Sequence, residues 1–296
     1  MTKDITLTDI TITAITCAVD LTHRSDHALK RAVGLAREKS LWLNVIHVVD
    51  HDLPAAIRDR QEKVAWDEIH SAIKRLDPEM AERAKITIKV DDPIPTVLRF
   101  VATHERGLLV LGTPRQSEGW NWPFSAHTAG RLLRSAVTPV LVVTNPSDKP
   151  YERVLIGVDC SVPSRRAIEL ALALANQAEF RLLYAWQIPY PALQPGERPK
   201  QEYEELSRRE ITSFFEEEVA KPVEEARAAN PGLQMAPTLR MGEPQMALRE
   251  EAAAFGADLI VLGTHGRKGV TRALLGSVAE DLLSAPLCDV LIAVPN

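Results

Sequence analysis

The sequence predicts two tandem α/β domains, each built on a parallel sheet with helices on both faces. Three observations carry that expectation. The chain contains an internal duplication, its short β-branched and Leu-rich runs alternate with longer amphipathic stretches, and a Pro-rich break falls near its middle. A length of 296 residues suits two domains of about 100–200 residues each. Hydrophobic residues make up 45% and charged residues 25%, the balance of an ordinary soluble globular protein and not of a disordered or fibrous one.

Taken along the chain, Ile12 to Ala36 (ITAITCAVDLTHRSDHALKRAVGLA) reads as strand, Asp, polar turn and helix. Strands then follow at Leu41 to Val49, Ile86 to Val90 and Leu108 to Leu111, with helices from Ala55 to Arg75 and from Pro95 to His104. The second half repeats the plan. Arg153 to Ala175 (RVLIGVDCSVPSRRAIELALALA) again gives strand, Asp, turn and helix, and Asp91 to Thr113 aligns without a gap on Gly242 to Thr264. Both halves close on an apolar segment, Pro139 to Val143 and Asp289 to Val294. Between them, Thr144 to Glu152 (TNPSDKPYE) breaks any helix or central strand, which places the boundary near Asp148 and the domains at 1–148 and 149–296. The acidic stretch Pro199 to Asn230 reads as a solvated helix that Pro222 kinks or divides.

Composition excludes several classes. Lys and Arg total 35 against 40 Asp and Glu, so a broad grip on nucleic acid is not expected. The three cysteines, Cys17, Cys160 and Cys288, are far apart and form no CxxC pair, which argues against a disulfide framework or a thiolate zinc site. No apolar run reaches the roughly 18–20 residues of a membrane span, and Met1 to Ile10 lacks the pattern of a signal peptide. A cytoplasmic location and no membrane partner are the expectation.

In parallel sheets of this kind, ligands bind in the crevice at the carboxyl ends of the strands. There the second half is informative. Strand Asp258 to Leu262 runs into Gly263-Thr264-His265-Gly266-Arg267-Lys268-Gly269, and Gly276-Ser277 opens a helix. Glycines allow close backbone approach, exposed N–H groups form a donor nest, and a helix amino terminus favours an anion. Arg267, Lys268 and Arg272 add positive charge. A plainer reading stands beside this one: Ser277 and Glu280 spell an S-x-x-E capping box that needs no ligand.

The spacing Gly263-x2-Gly266-x9-Gly276-Ser277, within Ala257 to Val294 (ADLIVLGTHGRKGVTRALLGSVAEDLLSAPLCDVLIAV), resembles the nucleotide-binding pattern of the universal stress protein family. The resemblance extends over both halves. It implies two five-stranded parallel-sheet α/β sandwiches of the adenine nucleotide α-hydrolase-like kind, related by a pseudo-two-fold axis. It also implies ATP, with or without Mg, as the ligand. The matching positions are Val158 and Asp159 at the end of one strand, Ala185 on the next, then Leu262, Gly263, His265, Gly266, Arg267, Gly276, Ser277 and Val278. Asp159 keeps a second reading as the cap of the following turn. Asp289 stands where the family usually has proline. Family dimers pair through the last strand, so the resemblance implies that Val140 to Val143 pairs antiparallel with Val290 to Val294. The chain would then be a monomer mimicking that dimer, or itself a homodimer.

The first half keeps Asp20 but not the glycine device. Its loop, Thr113 to His127, is one residue longer, has Arg115 or Gln116 at the second glycine, and carries Ala126-His127 in place of Gly276-Ser277. No nucleotide is expected there. Trp120, Trp122 and Phe124 crowd into that loop, to plug the vacated pocket or pack on the other domain, or else to form a platform for a sugar or lipid. Asp20, His23 and His27 are a weak metal candidate against the simpler account of surface histidines, an account extended to His47, His51, His70 and His104. Cys160 reads as a packing residue.

No GxxxxGK[ST], GxGxxG, GxSxG or HExxH motif occurs, and no general base points at a γ-phosphate, so the chain is read as no enzyme, at most a slow ATPase. The leading expectation is a stress-response sensor or regulator binding one adenine nucleotide in the second domain. The rival is a nucleotide-independent interaction or small-ligand protein that works through the aromatic loop.

Overall fold

The computed structural model describes residues 5–7, 10–104, 106–113, 132, 138–187, 197–214, 216–217, 220–233, 235, 237–264 and 276–294. The chain divides into two compact units, residues 1–150 and 151–295.

The first unit opens on a hairpin absent from the sequence expectation, in which β1 (Ile5–Leu7) pairs antiparallel with β2 (Ile10–Ile12). Its period-two signal, Ile5-Thr6-Leu7 and Ile10-Thr11-Ile12 on either side of Thr8-Asp9, was present in the sequence. The main sheet contains β3 (Ala14–Val19), β4 (Trp42–Val49), β5 (Lys85–Val90), β6 (Gly107–Gly112) and β7 (Val140–Val143). They run parallel in the order β7-β6-β3-β4-β5. β3 and β7 are buried at every position, as strands covered on both faces must be, whereas the edge strand β5 exposes Lys85 and Lys89.

Helix boundaries follow their caps. The helix expected from Pro95 starts at Pro93, because Asp92 accepts a hydrogen bond from Ile94 N and proline suits the first helical position. Helix His23–Lys39 follows β3, and helix Ala55–Leu76 gives way to Pro78–Arg83, where the Asp77 carboxylate caps Met80 N.

The second unit repeats the topology. Strands β8 (Arg153–Val158), β9 (Glu179–Trp186), β10 (Pro237–Met241), β11 (Leu259–Gly263) and β12 (Asp289–Ala293) lie parallel in the order β10-β9-β8-β11-β12. Helix Val162–Leu174 packs on β8, β11 and β12, and helix Glu197–Phe214 packs on β9 and β10. Helix Pro244–Phe255 packs on β8 and β9 and against helix Ser277–Ser284. Right-handed crossovers put the first pair on one face and the second pair on the other. Gly256, at φ +66°, ends helix Pro244–Phe255 in the left-handed conformation that glycine adopts without strain. Within the acidic stretch the structure describes helices Glu197–Phe214 and Ala220–Ala229, and Pro222 sits in the first turn of the second, where its missing N–H costs nothing.

Asp289, the departure from the family proline, is buried and accepts a hydrogen bond from the Tyr151 hydroxyl at 2.8 Å. The same end of the unit is held by Asp258, whose carboxylate accepts from Glu152 N and Arg153 N. Neither Asp reaches the carboxyl ends of the strands.

Candidate functional site

In the second unit β9 lies on one side of β8 and β11 on the other. The strand order therefore reverses between β8 and β11, and the crevice of such a sheet opens at their carboxyl ends. Val158 and Asp159 end β8, Ala185 is the penultimate residue of β9, and Leu262 and Gly263 end β11. Gly276 N–H donates to Thr264 O at 2.8 Å, and Thr264 N–H donates to Ala293 O at 3.0 Å. These two bonds close the base of the glycine loop and bring Gly276, Ser277 and Val278 to the same end of the sheet. His265, Gly266 and Arg267 lie outside the described residues, as do Lys268, Gly269 and Arg272.

Asp159 works as a turn former. Its Oδ1 accepts from Ser161 Oγ at 2.5 Å, Ser161 N at 3.2 Å and Ser164 Oγ at 2.6 Å, and its own N–H donates to Ser164 Oγ. Cys160 between them takes φ +60°, a left-handed conformation unusual for a residue with a side chain. The first unit builds the same turn. Asp20 Oδ1 accepts from Thr22 N and Thr22 Oγ1, Ser25 completes the cap, and Leu21 sits at φ +59°. A pattern Asp-x-[Ser/Thr]-x-x-Ser is thus present in the half with the glycines and in the half without them, which accounts for its structural share.

The glycines divide in the same way. A Cβ on Gly263 would lie 2.7 Å from Pro163 Cβ and 2.9 Å from its carbonyl carbon; one on Gly112 would lie 2.5 Å from Arg24 O. Each glycine lets the end of a strand pass the start of the facing helix. Gly276 is different: its φ is −65°, and among the described residues a Cβ there would meet Thr264 alone, 3.2 Å from its carbonyl oxygen. That contact is looser than those at Gly263 and Gly112.

Gly276, not Ser277, is the N-cap of helix Ser277–Ser284, and the first helical hydrogen bond runs from Glu280 N to Gly276 O. The capping box expected at Ser277 and Glu280 is therefore displaced by one residue and does not form in that register. Ser277 becomes the first helical residue, exposed at the mouth of the crevice. The N–H groups of Ser277, Val278 and Ala279 precede the helical ladder and face the amino end, the donor set an anion uses.

A model of the Universal stress protein family matches residues 11–144 and again 150–294. The chain belongs to the universal stress protein family. Universal stress protein Rv2005c of Mycobacterium tuberculosis is 25% identical over 94% of this chain and 96% of its own length. Universal stress protein MJ0531 of Methanocaldococcus jannaschii is 32% identical over 48% of this chain and 81% of its own. A universal stress protein structure from Archaeoglobus fulgidus shares the fold at a TM-score of 0.67 and 16% identity, covering 96% of this chain and 98% of that one.

Against that family background the first domain is the plainer of the two. Thr113 N–H donates to Val143 O, the counterpart of the Thr264 bond, but Arg115, Gln116, Trp120, Trp122, Phe124, Ala126 and His127 lie outside the described residues. The metal candidate does not assemble. His23 has a fully exposed side chain beside Asp26, the His27 ring reaches Thr144 O at 3.1 Å, and Asp20 serves its own turn. His47 is not a surface residue: it pairs with Val19 in the sheet, its Nδ1 lies 2.9 Å from Val19 O, and burial holds its pKa below the ordinary value. Cys17 and Cys288 are buried thiols, Cys288 pushed up to about 12 by burial, so neither is poised for thiolate chemistry. Among the described residues no helix is long and apolar enough to cross a membrane.

Two side chains near the crevice escaped the sequence reading. The Tyr184 hydroxyl, on β9 opposite Val158, donates to Glu210 Oε2 at 2.8 Å and ties helix Glu197–Phe214 to the crevice wall. Arg249 joins helix Pro244–Phe255 to helix Ser277–Ser284. For Arg249 a signal existed, since Leu98 occupies its place in the ungapped alignment of the halves.

Proposed function

We propose that the second domain binds one adenine nucleotide of the ATP type and that the protein acts in the stress response as a sensor or regulator, not as an enzyme. The observation that carries this reading is the placement of Gly276-Ser277. The pair opens a helix at the reversal of strand order, next to the end of β11, and among the described residues Gly276 is less crowded than Gly263. Val158, Asp159, Ala185 and Leu262 would wall the adenosine. Gly263, Gly276, Ser277 and Val278, with His265, Gly266 and Arg267 of the loop, would receive ribose and phosphates. The nucleotide brings the anionic charge that the helix amino end and its free-running N–H groups complement. Mg would ride on the phosphates; Asp159 Oδ1 is taken up by Ser161 and Ser164, so no side chain is assigned to the metal. Hydrolysis, if it occurs, is slow, and the protein works in the cytoplasm.

Saturating ATP is expected to raise the melting temperature of the second domain. At a concentration of 100 times Kd the gain is about 2.7 kcal/mol, or roughly 5–10 °C for a domain of this size. Differential scanning calorimetry with and without ATP, paired with titration calorimetry, reads this directly; unchanged melting with no binding heat would overturn the proposal. Gly276→Val should abolish the ATP shift, because a β-branched side chain fills the approach to the helix amino end, whereas Ala126→Val in the first domain should leave it intact.

A further inference from the structure

We propose that Arg249 is the positioning residue of the nucleotide loop: by holding the carboxyl end of helix Ser277–Ser284, it fixes the amino end that receives phosphate. This rests on the nucleotide-binding reading given above and assigns a determinant of affinity outside the loop itself.

Three nitrogens of one guanidinium engage the helix. Nε donates to Asp281 Oδ2 at 2.9 Å, Nη2 to Asp281 O at 2.7 Å, and Nη1 to Ala285 O at 2.7 Å. The last carbonyls of a helix lack backbone partners within it, although Asp281 O also accepts from Ser284 Oγ at 2.7 Å, and a cation there matches the negative end of the helix dipole. The planar fork of Arg meets two carbonyls and a carboxylate at once, which a Lys ammonium on a flexible stem does not reproduce. Eight residues make a rod only about 12 Å long. Such a rod, anchored at one end by Arg249, seated along its length by buried Ala279, Leu282 and Leu283, and tied at the other by Gly276 N to Thr264 O, has little freedom to swing.

The duplication supplies an internal control. At the positions of Arg249 and Asp281 the first half carries Leu98 and Arg131, so both partners of the ion pair are replaced. That half has also lost the counterparts of Gly266 and Gly276-Ser277. A clamp required only by the fold would be required in both halves, because both share the sheet order. This Arg–Asp pair occurs in sequence only in the half that keeps the glycines, which links it to the helix end that follows Gly276.

The test is Arg249→Leu, which installs the first-half residue, in the full chain. ATP and adenosine are titrated separately by calorimetry. The ATP Kd is expected to rise about tenfold, as one charge-assisted contact set is lost. The adenosine Kd should stay within about twofold, because the base sits on walls of β8, β9 and β11 that do not depend on the helix, which reaches only the ribose. Arg249→Lys should fall between the variant and the parent. If Arg249→Leu fails to fold, Asp281→Asn removes the charge pair while leaving both carbonyl bonds, and should weaken ATP about threefold with adenosine unchanged. A variant that loses ATP and adenosine equally, or neither, overturns the positioning role. An unmodified chain that binds no ATP overturns the nucleotide reading instead, and the positioning role falls with it.

Discussion

Gly263→Ala is expected to destabilise the second domain, and Gly112→Ala the first, whether or not any nucleotide is bound. In each case the new Cβ meets backbone or ring atoms that cannot rotate away: Pro163 Cβ at 2.7 Å and Pro163 O at 3.0 Å for Gly263, Arg24 O at 2.5 Å and Arg24 C at 2.7 Å for Gly112. Relief requires the facing helix to move off the end of its strand. Overpacking of this kind costs about 1–3 kcal/mol, which at 2–4 °C per kcal/mol lowers melting by roughly 2–12 °C. Among the described residues Gly276→Ala meets Thr264 alone, 3.2 Å from its carbonyl oxygen, and should shift melting much less. Calorimetric scans of the three variants without ligand decide the matter. If Gly263→Ala melts like the parent, or Gly276→Ala is the most damaged, the division into structural and ligand-facing glycines is wrong. The division also explains the duplication: Gly263 has a glycine counterpart in Gly112, while Gly276 has decayed to Ala126.

The sheets were legible because burial on both faces demands long apolar runs. Strands such as Leu259–Gly263 and Val140–Val143 stand out from their polar flanks, and the amphipathic helices between them force parallel crossovers. The strand order was not readable from those runs. The hairpin Ile5–Leu7/Ile10–Ile12 was missed although its residues alternate, because each strand has only three residues and borders no helix. Boundaries slipped where capping chemistry outranked the apolar pattern, as at Asp92-Pro93 and Gly276-Ser277.

At the site, residue spacing located the glycine loop but could not apportion its roles. Asp20 and Asp159 look alike in sequence, and only the turn geometry shows that each serves its own Ser or Thr hydroxyls. His47 was misplaced because a lone polar residue within an apolar strand says nothing about whether its ring finds a carbonyl, which here is Val19 O. Long-range partners such as Tyr184 with Glu210 leave no local pattern at all.

Glu251→Ala is expected to be among the most damaging substitutions in the second domain, although the residue lies outside the nucleotide loop. Its carboxylate is 2% exposed on helix Pro244–Phe255. It accepts from Arg181 Nη1 of β9 at 2.5 Å through Oε1, and from Arg240 Nε and Nη2 of β10 at 3.0 and 2.7 Å through Oε2. The Arg181 guanidinium also stacks 4.1 Å from the centre of the Phe255 ring, so it is not free to turn to solvent. Removing the carboxylate leaves two part-exposed cations, Arg181 and Arg240, without their shared acceptor, a loss of about 1.5–3 kcal/mol, or roughly 3–12 °C in melting. The pH dependence has a definite sign. Burial raises the Glu251 carboxyl, but hydrogen bonds from Arg181 and Arg240 and their charge outweigh it and hold the group below its ordinary 4.5. A carboxylate depressed in the folded state contributes stability that is complete above its unfolded value and is lost as pH falls through the folded one. Melting of the parent should therefore decline below about pH 4.5 partly through this group. Glu251→Gln, which keeps the shape and one acceptor, should start lower at pH 7 and show a shallower acid decline. Scans from pH 7 to pH 3 separate the cases: a Glu251→Ala chain within about 1 kcal/mol of the parent, or a Gln variant with an unchanged acid slope, would show that the two arginines are held by something other than Glu251.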